Sequence, residues 1–357
     1  MTLPMDYYGL LGPLIRMLPA ETAHDAALAA LKCRLVPQAQ PVRAPSLATE
    51  CFGLSFPNPV GIAAGFDKNA AITDQLLAQG FGFVEAGTVT PLPQPGNPRP
   101  RMFRLTDDEA VINRLGFNNE GLHAYVANLS RRKSPGIVGA NIGKNKDSLD
   151  ANYDYLAGLE AVYAHADYIT VNISSPNTVG LRDLQQKDAL SSLIKAVGDK
   201  RDELAKQSGT RKPLLYKIAP DLTPPDKEDI VETALKYFVD GLIVSNTTIT
   251  RDAGLRSHHR NERGGLSGKP LKALALDTLR DIHRISKGRI PLIGVGGIAS
   301  AEDAYARIKA GASLVQLYTA LVYQGFGLVK RINEGLAEFL ERDGFKTVKE
   351  AVGTESR

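Results

Sequence analysis

"IPLIGVGGIASAEDAYARIKAGASLVQLYTA", Ile290 to Ala320, holds the pattern on which the fold turns. An apolar run at 290–298 ends in glycines, a polar stretch over 301–310 has no Gly or Pro, and a second apolar run follows at 313–320. Strand, helix and strand in ~30 residues make a parallel βαβ unit. The same alternation runs back through the chain. Strands are expected at 59–65, 82–89, 136–143, 168–174, 213–221 and 241–248, with helices near 69–79, 119–132, 152–165, 187–206, 225–238, 271–287 and 327–341. That makes eight βα units. Units of this kind closing on themselves form the (β/α)8 barrel, which takes about 250 residues.

The 357 residues leave length for additions. At the front, Leu10, Leu11, Leu14, Ile15, Met17 and Leu18 crowd into one or two helical turns, and "AETAHDAALAALKCRL" reads as a second helix. "VPQAQPVRAP" follows as an extended linker because proline recurs. After the second strand, "TPLPQPGNPRPRMFRLTDDEAVINRLGFNN" is too long for a plain βα loop, and "RMFRL" and "AVINRLG" read as a hairpin joined by "TDDE". The expected division is an N-terminal helical extension and linker at 1–45, a barrel at 46–341 and a tail at 342–357.

Composition removes several classes. A net charge of +4 without a dense Lys/Arg run argues against nucleic acid as a partner. Cys33 and Cys51 form no CxxC pair, and no His/Cys cluster has metal-ligand spacing, so no metal site is expected. No apolar run approaches the ~20 residues of a membrane span. The first helices are instead candidates for lying on a membrane surface.

The strand ends carry the chemical signal. They read "AAGFDK", "GTVT", "ANIGKN", "NISSPNT", "KIAPD", "SNTT", "GVGGI" and "QLYTA". In a barrel these ends face one pocket. Turns would explain Gly, Asn and Ser, but not Lys68, Asn141, Asn172 and Lys217 at comparable positions. "GVGGI" before a helix matches the phosphate cup of such barrels, where glycines let backbone N–H groups reach an anion. No Rossmann or P-loop spacing is present. None of the histidines falls at a strand end, so a hydrolytic triad is unsupported. In "NISSPNT", periodicity leaves Ser174 and Ser175 tied as the reactive hydroxyl, or favours Ser174, which shares a strand face with Asn172.

The motifs "NPVGIAAGFDKN", "EAGTVTPLPQPGNPRPRMFRL", "INRLGFNN", "GANIGKNK", "NISSPNTVGLRDLQ", "KIAPDL", "SNTT", "GGLSGKPL", "IGVGGI" and "GASLVQLYTALVYQG" together resemble the dihydroorotate dehydrogenases. They fall on every strand end. Two features resemble the quinone-dependent, class 2 form. Soluble class 1 relatives carry a cysteine in "SCPN" where this chain has Ser175 in "SSPN", and class 2 forms carry an N-terminal helical extension.

The resemblance implies an FMN-holding barrel that oxidises dihydroorotate to orotate in pyrimidine synthesis. By it, Ser175 is the base that removes the C5 proton while hydride leaves C6 for flavin N5. FMN contacts fall on Ala64, Gly65, Phe66, Asp67, Lys68, Thr88, Asn141, Asn172, Lys217, Ser245, Gly268, Gly297, Tyr318 and Thr319. Substrate contacts fall on Lys68, Asn113, Arg114, Leu115, Gly116, Phe117, Asn172, Asn177, Asn246 and Thr247. Ser245 stands where the family often has Thr, which keeps the hydroxyl and loses a methyl. His24, Arg104 and Tyr318 match the quinone tunnel. The implied setting is a monomer on the cytoplasmic face of a bacterial membrane, with a membrane quinone as electron acceptor. Two readings outside the family compete: a flavin-free sugar-phosphate isomerase or lyase on the same barrel, and a non-catalytic membrane-binding module centred on residues 1–40.

Overall fold

A computed structural model describes residues 7–355. Two helices, α1 (Tyr7–Ile15) and α2 (Ala20–Lys32), precede a hairpin of β1 (Thr49–Cys51) and β2 (Leu54–Phe56). The barrel opens with β3 (Val60–Ile62), α3 (Thr73–Leu77) and β4 (Phe83–Val89). An insertion carries β5 (Met102–Leu105) and β6 (Ala110–Asn113) and leads to α4 (Gly121–Leu129). The alternation resumes with β7 (Ile137–Ile142), α5 (Ala151–Val162), β8 (Tyr168–Asn172), α6 (Lys187–Ser208), β9 (Leu214–Ile218), α7 (Pro224–Lys236) and β10 (Gly241–Val244). Then come β11 (Gly265–Gly268), α8 (Lys272–Ser286), β12 (Leu292–Val295), α9 (Ala301–Lys309) and β13 (Ala312–Leu317). Helices α10 (Thr319–Gln324), α11 (Gly327–Arg342) and α12 (Val348–Ala351) complete the order.

Strands β3, β4, β7, β8, β9, β10, β12 and β13 form one closed parallel barrel, with β13 returning to β3 through Val315 opposite Val60. This is the expected (β/α)8 fold. The strands are shorter than the apolar runs, because the run ends leave the ladder. At the end of β8, for example, the Ser174 amide donates to the Asn172 side chain rather than to a neighbouring strand.

Size matching fills the lower barrel. A Cβ on Gly61 would lie 2.4 Å from the Phe83 ring, and one on Gly139 would lie 2.1 Å from the Tyr168 ring. Each glycine makes room for a ring on the neighbouring strand. The β1–β2 hairpin, not anticipated from the sequence, brings Phe56 edge-on to Phe83 at 5.3 Å. Beyond α11 the chain folds back on the barrel, with Val348 and Ala351 fully buried.

The expected insertion hairpin is present but is part of a larger sheet. β11, from the loop after β10, adds to it through Gly265 opposite Asn113. This three-stranded sheet lies over the C-terminal end of the barrel. Helix α1 docks on α10, where the Tyr8 hydroxyl donates to the Val322 carbonyl at 2.6 Å. Helix α2 docks on the insertion, where the Glu21 carboxylate accepts from Arg99 at 3.0 Å and Arg101 at 2.7 Å.

Gly139→Ala should therefore force the Tyr168 ring from its place. The expected cost is about 1–3 kcal/mol, as for other overpacked cores. Urea denaturation of the variant beside the native chain measures it.

Candidate active site

The floor of the site is a buried carboxylate. Glu85, in the middle of β4, is 1% exposed. Its Oε1 accepts from the Asn141 amide at 2.8 Å, and its Oε2 accepts from Tyr168 at 3.2 Å, Thr170 at 3.2 Å and Gln316 at 2.9 Å. Three further strands thus donate to one side chain. From Asn141 the chain of bonds climbs toward the strand ends. Thr88 Oγ1 donates to Asn141 Oδ1 at 2.5 Å, and Asn172 Nδ2 donates to Thr88 Oγ1 at 2.9 Å. Ser174 Oγ donates to Asn172 Oδ1 at 2.9 Å, and Asn246 Nδ2 donates to Ser174 Oγ at 2.9 Å. Every amide in the series has its orientation set by its partners.

This network separates the two serines. Ser174 is fully enclosed and spends its hydroxyl between Asn172 and Asn246. Ser175 faces the cavity, and among the described residues its Oγ accepts only the Asn177 backbone amide, at 3.3 Å. The loop itself is held by Arg182, whose guanidinium donates to the Ser174 carbonyl at 3.0 Å, to Asp221 at 2.9 Å and to the Thr247 carbonyl at 2.9 Å. Sequence reasoning passed over both Glu85 and Arg182. A charge inside the apolar run "GFVEAGTV" was the available signal for the first.

Above the floor lies a cavity of about 1340 Å³. It is larger than the ~300–1,000 Å³ of an ordinary small-molecule pocket. Of the expected residues, Ala64, Gly65, Phe66, Lys68, Thr88, Asn172, Lys217, Ser245, Gly268, Gly297, Tyr318 and Thr319 line it. So do Asn113, Leu115, Gly116, Phe117, Ser175, Asn177, Asn246 and Thr247, and so do His24 and Arg104. Three expected residues stand outside the lining, each for a visible reason. Asp67 turns away and accepts the Ala71 and Ile72 amides, both at 2.9 Å. Asn141 lies beneath Thr88. Arg114 points to a separate surface pocket, paired with Glu262 at 2.7 Å and stacked over Phe103 at 4.5 Å.

The cations of the cavity are unusual. Lys217 is 4% exposed and forms no ion pair among the described residues. Burial pushes its ammonium pKa down, and the Glu85 charge opposes the shift. Burial lowers Lys68 to about 8, with Glu21 and Asp25 pulling the other way. Two cations that form no ion pair among the described residues, set in one cavity, suit a bound anion or a developing negative charge.

At the far end, between α1, α2 and α10, the cavity turns apolar. His24 lies edge-on to Phe66 at 5.2 Å, and its Nδ1 is 3.3 Å from the Tyr318 hydroxyl. Burial and the Lys68 charge lower its pKa to about 3, so the imidazole is neutral. Its Nε2 is buried and has no hydrogen-bond partner among the described residues. Arg104 crosses from β5 and donates to the Arg16 carbonyl at 2.6 Å and the Leu18 carbonyl at 3.2 Å. Leu11, Leu14, Met17 and Leu18 are exposed beside this opening. No helix among the described residues is long and apolar enough to cross a membrane.

The glycine turn after β12 forms the remaining wall. Gly297 has φ +69°, and a Cβ there would lie 2.5 Å from the Lys272 backbone. Only glycine fits that approach.

Comparison with known proteins agrees with this geometry. The family model for dihydroorotate dehydrogenase matches residues 46–340. The dihydroorotate dehydrogenase (quinone) of Azorhizobium caulinodans is 53% identical, over 99% of this chain and 100% of its own length. That of Parvibaculum lavamentivorans is 55% identical, over 98% and 99%. The crystal structure of DHODH from Eimeria tenella in complex with ferulenol superposes with a TM-score of 0.91 at 42% identity, covering 98% of each chain. The chain belongs to the dihydroorotate dehydrogenase family of oxidoreductases, in its quinone-dependent class.

Proposed function

We propose that this chain oxidises dihydroorotate to orotate with Ser175 as base and one FMN in the barrel mouth, and passes the electrons to a membrane quinone at the α1–α2 opening. The observation that carries the reading is a single cavity joining three chemistries. Polar amides surround Ser175, glycines form a cup after β12, and an apolar passage runs past His24.

The residues present fit FMN. The glycine cradle admits a phosphate against backbone amides. Lys217, which lines the cavity, would offer positive charge to a bound flavin; a buried ammonium without an ion pair is otherwise costly. FMN, when bound, supplies the hydride acceptor. Asn113, Asn172, Asn177 and Asn246 match the alternating donors and acceptors of a pyrimidine ring. Lys68 pairs with the substrate carboxylate. Ser175 takes the C5 proton. A neutral serine hydroxyl is a weak base, so as it accepts the C5 proton it passes its own proton on to water in the cavity, and the surrounding cations stabilise the electron density released from the substrate toward the acceptor. On this reading the chain is a flavoprotein of pyrimidine synthesis, a monomer on the cytoplasmic face of a bacterial membrane, and the exposed Leu11, Leu14 and Leu18 are the surface that supports its membrane contact.

The purified full-length protein should be yellow, and dihydroorotate should bleach it without oxygen. A colourless chain that neither binds FMN nor gains activity from it would sink the reading. Ser175→Ala should keep the flavin and slow bleaching by roughly 10²–10⁴-fold. Ser174→Ala should cost about 1–2 kcal/mol of stability through its lost hydrogen bonds and slow bleaching far less. Equal slowing in both would remove Ser175 as the base.

Lys68 must be protonated to hold a carboxylate. Its pKa near 8 predicts that kcat/KM for dihydroorotate falls as pH rises through about 8. Lys68→Met should lower kcat/KM throughout and abolish that alkaline limb; a limb that survives the substitution belongs to another group.

His24→Ala should lower quinone-dependent turnover by about tenfold or more, the scale of a lost hydrogen bond to a buried polar ligand, while leaving anaerobic bleaching unchanged. Stopped-flow measurement of the two half-reactions separates these outcomes.

A further inference from the structure

Arg307, on α9, is the most deeply buried cation outside the cavity wall. It is 2% exposed. Its Nη2 donates to the Gly296 carbonyl at 2.5 Å and to the Lys272 carbonyl at 2.8 Å. Its Nε and Nη1 are buried without hydrogen-bond partners among the described residues. It forms no ion pair there. The carboxylate of Asp303, one turn earlier, is engaged by the Lys272 ammonium and by the Ala299 amide at 3.0 Å. A guanidinium does not shed its proton at physiological pH; the Asp303 and Asp277 carboxylates favour its charge through space, but neither bonds it, so Nε and Nη1 keep their charge without a direct counter-ion.

The place of the charge is informative. Gly296 and Gly297 both line the cavity, and their shared peptide is trans. In a trans peptide the carbonyl of one residue and the N–H of the next point in opposite directions. By holding the Gly296 carbonyl on the protein side, Arg307 directs the Gly297 N–H away from it, toward the opposite side of the turn. A cationic donor on that carbonyl also polarises the N–H at the other end of the peptide. The second bond, to Lys272, holds α8 against Gly297 at the close approach where a Cβ would clash. Leucine or methionine would fill the same space without doing either.

We infer that Arg307 is a positioning residue for phosphate recognition: it orients the Gly297 amide of the cup and sets a fixed positive charge behind the anion that the cup binds. The inference rests on the reading that the FMN phosphate occupies the cup. It predicts that Arg307 acts on the phosphate and not on the isoalloxazine ring.

The test compares FMN with riboflavin, which has the same ring system and no phosphate. Full-length native chain, Arg307→Met and Arg307→Lys are stripped of flavin and titrated with each, following flavin fluorescence, with thermal melting to check the fold. Native chain should bind FMN well above riboflavin. Arg307→Met should weaken FMN by roughly 10- to 100-fold, the scale of charged hydrogen bonds, and leave riboflavin within about twofold. Arg307→Lys, which keeps the charge but whose side chain is one bond too short to bring its ammonium to the position of Nη2, should fall between. Equal weakening of both flavins, or a loss seen only as a lower melting temperature, would make Arg307 a packing residue and overturn the inference. Unchanged FMN binding in Arg307→Met would overturn it too, while leaving FMN in the barrel. Native chain that does not distinguish the two flavins would overturn the placement of phosphate in the cup and the inference with it.

Discussion

A carboxylate in the centre of a parallel barrel is tolerable only if its lone pairs are met, since stranding a buried charge costs several kcal/mol. Glu85 meets that condition with donors from β7, β8 and β13, and with the Lys217 ammonium of β9 in electrostatic range. The consequences run upward. Because Asn141 must give its amide N–H to Glu85, its oxygen faces Thr88; because Thr88 donates there, it accepts from Asn172. With the nitrogen of Asn172 turned to Thr88, its oxygen faces Ser174 and accepts from the Ser174 hydroxyl. The orientations around the Ser174–Ser175 loop are thus settled in the barrel interior, several residues below it. A rigid first layer of this kind is what an amide-lined pocket needs to hold a flat, polar ring in one pose.

The loops above are tied by a different device. Arg182 holds the Ser174 and Thr247 carbonyls. Arg101 holds those of Pro95 and Asn97, Arg104 those of Arg16 and Leu18, and Arg307 those of Lys272 and Gly296. Irregular segments leave carbonyls without ladder partners, and a guanidinium offers several donors in one rigid plane. One arginine can therefore fix two distant stretches at once. Arg101 is in turn engaged by Glu21 of α2, so the N-terminal extension is bound to the same insertion that covers the C-terminal end of the barrel.

Much of this was legible beforehand. The alternation of apolar runs and polar helices identified all of the barrel strands, because each strand is buried on both faces and reads as a continuous apolar stretch. The polar strand ends were legible for the opposite reason: polar and charged side chains do not persist at such positions without partners. What escaped were features made by distant pairing. β11 is a short glycine-rich piece, "GLSG", with no strand signature until β6 lies beside it. Asp67, Asn141 and Arg114 stood in the right motifs but point to an inner turn, the layer below and a surface pocket. A motif fixes a residue's place on the chain and not the direction of its side chain.

The amino-acid sequence by itself determined the barrel, the helical extension, the crowding of Lys, Asn and Ser at one end, and the family resemblance. All of these follow from local burial pattern and from residue type at strand ends, which short stretches carry in full. Tertiary structure alone decided which serine is free. Ser174 and Ser175 are adjacent and chemically identical; strand periodicity left them tied or favoured Ser174, and in the sequence only the family resemblance pointed to Ser175. It is Asn246, seventy-two positions away from Ser174, that closes the bond taking Ser174 out of play and leaves the Ser175 hydroxyl toward the cavity. Which hydroxyl has a partner is a property of the contacts that surround it, and those exist only once the barrel has closed.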